Sequence, residues 1–173
     1  MEERNDFYKL GDNFVTIVGS DIEVGQKAPE FTVQDQTFAD LGVLDATKGK
    51  VRILAAVPSL STSVCDRETR RFNEEAASLS DEIAIVTISA DLPFTLKSWC
   101  GAAGVDQVLV VSDHMDAEFG MKYGTLVKER RILRRAVFVV DKDDKVVYSD
   151  YMASLGDEPD YEAVLEAAKG ALN

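Results

Sequence analysis

The sequence predicts an α/β domain: a sheet covered by helices on both faces, with a β-hairpin added at the N-terminus. Three observations carry this. Ile83–Ile88 is a continuous apolar run of β-formers, the pattern of a strand buried on both faces, and Val51–Val57 also reads as a buried strand. Stretches with helical periodicity alternate with these strands. No linker, repeat or low-complexity stretch divides the chain, so residues 1–173 read as one domain, with 1–20 as the hairpin extension.

In chain order, Phe7–Leu10 and Phe14–Gly19 flank Gly11-Asp12-Asn13, a hairpin signal with a three-residue loop of turn formers. Gly25 to Phe31 reads as a loop entering a short strand, with Pro29 as punctuation. Phe38 to Gly49 reads as a connection. After Val51–Val57 comes a helix from about Ser63 to Leu79, because Cys65, Thr69, Phe72, Ala76 and Leu79 recur on one face. Ser89–Phe94 is a loop. A helix from Pro93 to Ala103 follows, with proline at its start and Gly104 at its end. Val108–Val111 is a short strand, and Ala117–Tyr123 a short helix stopped by Gly124. Arg135–Asp141 and Val146–Tyr148 form a hairpin around Lys142-Asp-Asp-Lys145. Tyr161–Leu172 is the last helix, with Val164, Leu165, Ala168 and Leu172 on its apolar side.

Composition excludes several functions. Among 173 residues, 31 are acidic and 19 basic, for a net charge of -12. Such a surface repels nucleic acid and anionic membrane. The start, Met1-Glu-Glu-Arg-Asn-Asp, has no apolar signal core, and the apolar runs are too short to span a bilayer. A soluble, cytoplasmic protein is expected. No P-loop, G-x-G-x-x-G or H-E-x-x-H motif occurs, and the methionines show no cofactor spacing, so no bound cofactor is expected.

The stretch Pro58-Ser-Leu-Ser-Thr62-Ser-Val-Cys65 organises the chain. It places Cys65 in the first turn of a helix, just after a strand. Backbone N–H groups there lack internal partners and the helix dipole is positive, both of which favour a thiolate, the nucleophilic form. Thr62, one turn earlier, can aim its hydroxyl at the sulfur. Pro58 fixes the loop that shields it. The competing reading is a small buried hydrophobe, since free cysteine is often buried.

Only two cysteines, Cys65 and Cys100, and one histidine, His114, are present. They cannot close a four-ligand zinc site without carboxylates. In a cytosolic chain such a cysteine pair is more often catalytic or redox-active than structural. A structural bridge, the alternative, would contribute about 3–4 kcal/mol by chain entropy. His114 reads as a surface or capped side chain, and Trp99 as packing beside Cys100.

Pro58, Thr62 and Cys65, spaced P-x-x-x-T-x-x-C, resemble the thioredoxin-fold peroxiredoxins. More narrowly the chain resembles their atypical two-cysteine subfamily, the thiol peroxidases. Val64–Asn73, Ser89–Phe94, Cys100–Gly104, Arg135–Asp141 and Glu158–Tyr161 carry the likeness in the family's order over nearly the whole chain. The resemblance implies a thioredoxin-like fold with a central mixed sheet flanked by helices. It implies Cys65 as the peroxidatic cysteine that becomes a sulfenic acid, and Cys100 as the resolving cysteine that closes an intramolecular Cys65–Cys100 disulfide. Thr62 would bond the thiolate or the peroxide, Arg135 would supply a stabilising cation, and Pro58 would shield the site. Substrates would be hydrogen peroxide and organic hydroperoxides, the recycling partner a thioredoxin-type reductant, and the assembly a homodimer.

Two constraints accompany these roles. A disulfide needs Cα atoms within about 7 Å, so with Cys65 and Cys100 on separate helices one must unwind, and Gly101 and Gly104 weaken the second. Arg134 and Arg135, adjacent on a strand, point to opposite faces, so only one reaches Cys65 and Arg134 is expected to be a solvated strand-end charge. The family carries an Asp-Gly-Pro turn where this chain has Lys128-Glu-Arg-Arg131, so the loop beside the site differs in shape. Two rival functions are weaker. A disulfide oxidoreductase uses C-x-x-C, and here Glu68 stands three after Cys65. A binding module without turnover conflicts with the intact Pro58, Thr62, Cys65 and Arg135 set.

Overall fold

The computed structural model describes residues 1–76 and 78–173. Its main sheet has seven strands. β3 is Thr32–Gln34, β4 Asp40–Gly42, β5 Val51–Ala56, β6 Ile83–Ser89, β7 Leu109–Ser112, β10 Ala136–Val140 and β11 Val146–Tyr151. They lie in the order β11-β10-β5-β6-β7-β3-β4. β5, β6 and β7 run parallel, and the strands outside them pair antiparallel. The sheet is therefore mixed, and β5 lies inside it, between β10 and β6, with all six residues buried.

Strand parity sorts the core into two layers. From β5 and β10, Val51, Ile53, Ala55, Val137 and Val139 face one side. There they meet Cys65 and Phe72 of α2 (Ser63–Ala76), Leu96 and Cys100 of α3 (Pro93–Ala103), and Val164 and Ala168 of α5 (Tyr161–Gly170). Leu54, Ala56, Ala136 and Phe138 face the other side. They meet Val43 and Leu44 of α1 (Val43–Ala46) and Phe119 of α4 (Glu118–Lys122). Both faces are covered, as the sequence predicts. Arg52 is fully buried at the end of β5, where it donates to Thr47 Oγ1, Asp141 O and Leu44 O and pairs with Asp144. A buried cation is tolerated when its donors are used in this way.

The N-terminal hairpin, β1 (Glu3–Leu10) and β2 (Asn13–Val18), pairs Leu10 with Asn13. Its turn is thus the two residues Gly11-Asp12, not three, and Gly11 supplies the positive φ of 63°. The hairpin docks on two strands that the sequence does not announce, β8 (Leu126–Val127) and β9 (Ile132–Leu133), making a second, four-stranded sheet. Two-residue strands carry no periodicity to read. The Phe38–Gly49 connection likewise contains β4 and α1. The described part of α2 ends at Ala76; the expected run to Leu79 crosses residue 77, which lies outside the described residues. The predicted Pro93–Ala103 helix is observed with those bounds, Pro93 opening it and Gly104 capping it at φ 66°.

Candidate active site

β5 delivers the chain into the loop Val57–Thr62, and α2 begins at Ser63. Pro58 is buried in that loop. Cys65 occupies the first turn of α2, 0% exposed, and its sulfur faces two donors. Thr62 Oγ1 lies 2.8 Å from Sγ and Arg135 Nη2 lies 3.3 Å from it. Thr62 Oγ1 is also 2.9 Å from Ser59 O. A hydroxyl has one proton. With a thiol, that proton rests on Ser59 O and the S–H points at Oγ1. With a thiolate, the proton turns to sulfur. Thr62 can therefore follow the charge state of Cys65.

Arg135 directly precedes β10 and shares the parity of Val137 and Val139, which aims it at the α2 layer. It is held on three sides. Nη1 pairs with the Glu68 carboxylate, while Nη2 donates to Leu155 O at 2.9 Å as well as to Cys65. Burial works against its charge, but Glu68 and Cys65 outweigh that and hold its pKa above the ordinary value. Glu68 is itself fully buried. Burial pushes its carboxyl up to about 7, against the pull of Arg135.

Arg134 corrects an expectation. It is 3% exposed, not solvated: it pairs with Asp21, donates to Gly124 O at 2.9 Å and sits 4.1 Å above the Tyr151 ring. The opposite-face argument stands, since Arg134 serves the hairpin side and Arg135 the sulfur.

Cys100 lies on α3, buried, and both cysteines are free thiols. Gln36 Nε2 donates toward its sulfur at 3.4 Å. Burial raises the Cys100 pKa, with Gln36 pulling the other way. α3 is strapped to α2 beside it. Trp99 Nε1 donates to Asp66 Oδ1 at 2.9 Å, and Arg70 Nη1 to Ala103 O at 3.0 Å. Trp99 is thus more than packing. A cleft of about 440 Å³, lined by Leu60, Thr62, Asp66, Arg67 and Trp99 among others, opens at this seam. His114 Nδ1 is 2.8 Å from Ser112 Oγ, a capped side chain. In the Lys128–Arg131 loop, Lys128 pairs with Glu3 and Glu129 accepts from Thr16 N, so this turn is knit to the hairpin.

A redoxin family model matches residues 23–165. The chain belongs to the redoxin family. This redoxin is 48% identical over 160 residues to a thiol peroxidase of Halalkalibacterium halodurans, covering 92% of this chain and 95% of that one. It is 50% identical over 155 residues to a Bacillus subtilis thiol peroxidase, covering 90% and 92%. The crystal structure of a peroxiredoxin-like protein from Aquifex aeolicus superposes with a TM-score of 0.85 at 35% identity, over 95% and 96% of the two chains. The redoxin is therefore a thiol peroxidase by family, with the thioredoxin-like fold. Among the described residues no helix is long and apolar enough to cross a membrane.

The places of Glu68, Leu155 and Gln36 at the site were not anticipated from the sequence. Glu68 had a signal, because three positions after Cys65 on one helix is the same face.

Proposed function

We propose that this redoxin is a thiol-dependent peroxidase, one domain over residues 1–173 with a hairpin extension at 1–20, that reduces hydrogen peroxide and organic hydroperoxides. The observation that carries the reading is Cys65 Sγ held between Thr62 Oγ1 and Arg135 Nη2 at the start of α2. A helix N-terminus, a hydroxyl and a guanidinium converge on one buried sulfur, which suits both a thiolate and the charge that develops as an O–O bond breaks.

In this cycle the Cys65 thiolate attacks one peroxide oxygen. The O–O bond breaks, the leaving alkoxide or hydroxide takes a proton, and Cys65 becomes a sulfenic acid. Thr62 and Arg135 hold the thiolate and the breaking bond, and Pro58 helps to enclose the sulfur. The Cys100 thiol then condenses with the sulfenic acid, releasing water and forming a Cys65–Cys100 disulfide. A thioredoxin-type dithiol reduces that disulfide by exchange, ending oxidised itself. Glu68 is a positioning residue that orients Arg135. We place the protein in the cytoplasm as a homodimer; the exposed pair Phe38 and Phe94, with ring centroids 4.7 Å apart, is an apolar surface that supports association.

Peroxide consumption with dithiothreitol as reductant tests the activity. Wild type turns over and Cys65→Ser does not. Equal turnover by Cys65→Ser would remove the assignment.

A further inference from the structure

The Ser89–Phe94 motif takes no part in that cycle, yet its acidic residue touches three segments around the site. Asp91 Oδ1 accepts from Ser59 Oγ at 2.7 Å. Its Oδ2 accepts from Leu60 N at 2.8 Å and Ser89 Oγ at 2.9 Å. Its carbonyl accepts from Ser112 Oγ at 2.5 Å, and the next residue, Leu92, is the N-cap of α3. The carboxylate thus ties the loop before Cys65 to the end of β6, while the carbonyl of the same residue takes the end of β7 at the root of the helix that holds Cys100.

The bond to Ser59 matters most. The carbonyl of Ser59 accepts both the N–H of Thr62, at 3.1 Å, and its hydroxyl. That carbonyl is where the Thr62 proton rests when it is not on sulfur. We propose that Asp91 is a positioning residue for the peroxidase reaction, acting through Ser59 to set where Thr62 meets Cys65. This rests on the peroxidase reading above.

A carboxylate that only caps a loop would stabilise the protein without depending on Thr62. A double-mutant cycle separates the two. The readout is the second-order rate constant for hydrogen peroxide with dithiothreitol as reductant. Asp91→Ala is expected to lose on the order of tenfold to a hundredfold, the scale of a small misplacement at a reacting centre. In a Thr62→Val background the same change is expected to cost almost nothing more. Asp91→Asn should recover most of the rate, because its amide oxygen can take Leu60 N–H and its amino group can donate to the Ser59 hydroxyl.

Equal losses in both backgrounds, or no loss in either, would overturn the proposal. If Asp91→Ala fails to fold, Ser59→Ala removes only the linking hydroxyl. It should lower the rate in the same Thr62-dependent way, and an unchanged rate overturns the proposal. A wild type inert to peroxide would sink the peroxidase reading with it; an active wild type with an additive cycle sinks only the role of Asp91.

Discussion

Glu68 and Arg135 form an ion pair buried beneath the sulfur of Cys65, with side chains 0% and 1% exposed. The pair fixes the guanidinium so that its second arm reaches Sγ and Leu155 O. Breaking a buried pair strands a charge and typically costs about 3–5 kcal/mol, whereas replacing both partners by apolar groups is often near neutral. Arg135→Met alone is therefore expected to lower stability by about that amount. The double variant Arg135→Met/Glu68→Met should recover most of it. Urea unfolding of the two variants decides this, and equal losses in both would show that the pair is not coupled.

Burial raises the Glu68 carboxyl from its ordinary 4.5 to about 7. Asp113, buried against the N–H groups of Phe119 and Gly120, is raised from 3.8 to about 6, its burial outweighing those bonds. In that range the folded state binds more protons than the unfolded one, so stability falls as pH rises. The Glu68 contribution is fully present below about 4.5 and lost as pH passes about 7. Unfolding midpoints measured from pH 4.5 to 7.5 should decline, and Glu68→Gln should flatten the slope. A Glu68→Gln slope identical to wild type would contradict the shift.

Two straps hold α3 to α2 in the thiol form, Trp99 to Asp66 and Arg70 to Ala103. If Cys100 must move to meet Cys65, these break first. Amide hydrogen exchange across Ser98–Gly104 is then expected to be slow in the reduced protein and fast after peroxide. Asp66→Asn should speed exchange in the reduced form. Equal protection in both redox states would mean that α3 stays folded.

Gly19 has φ 89°, and a Cβ there would lie 1.9 Å from the Met121 carbonyl oxygen. Neither backbone can yield cheaply. Gly19→Ala should cost more than about 2 kcal/mol, from left-handed strain plus the clash. Thermal unfolding measures it. A near-neutral change would mean that the hairpin does not dock as described.

Much of this was legible in the sequence. The Cys65 helix followed from periodicity; parity allowed only one of Arg134 and Arg135 to reach the sulfur, and the family resemblance pointed to Arg135. Arg134 itself was misjudged because its partner, Asp21, lies far away in sequence and no local pattern links them. Glu68 was read as the residue that breaks a C-x-x-C, since nothing local shows that its carboxylate will be buried against Arg135. β8 and β9 are too short to carry a period; β8 pairs with β2 of the hairpin and β9 with β8.

The most direct measurement is a non-reducing peptide map before and after one equivalent of peroxide, for wild type and Cys100→Ser. Wild type is expected to lose both thiols and gain a Cys65–Cys100 peptide within one chain, while Cys100→Ser stops at a sulfenic acid on Cys65. Two thiols surviving peroxide unchanged would contradict this and leave Cys65 a structural cysteine.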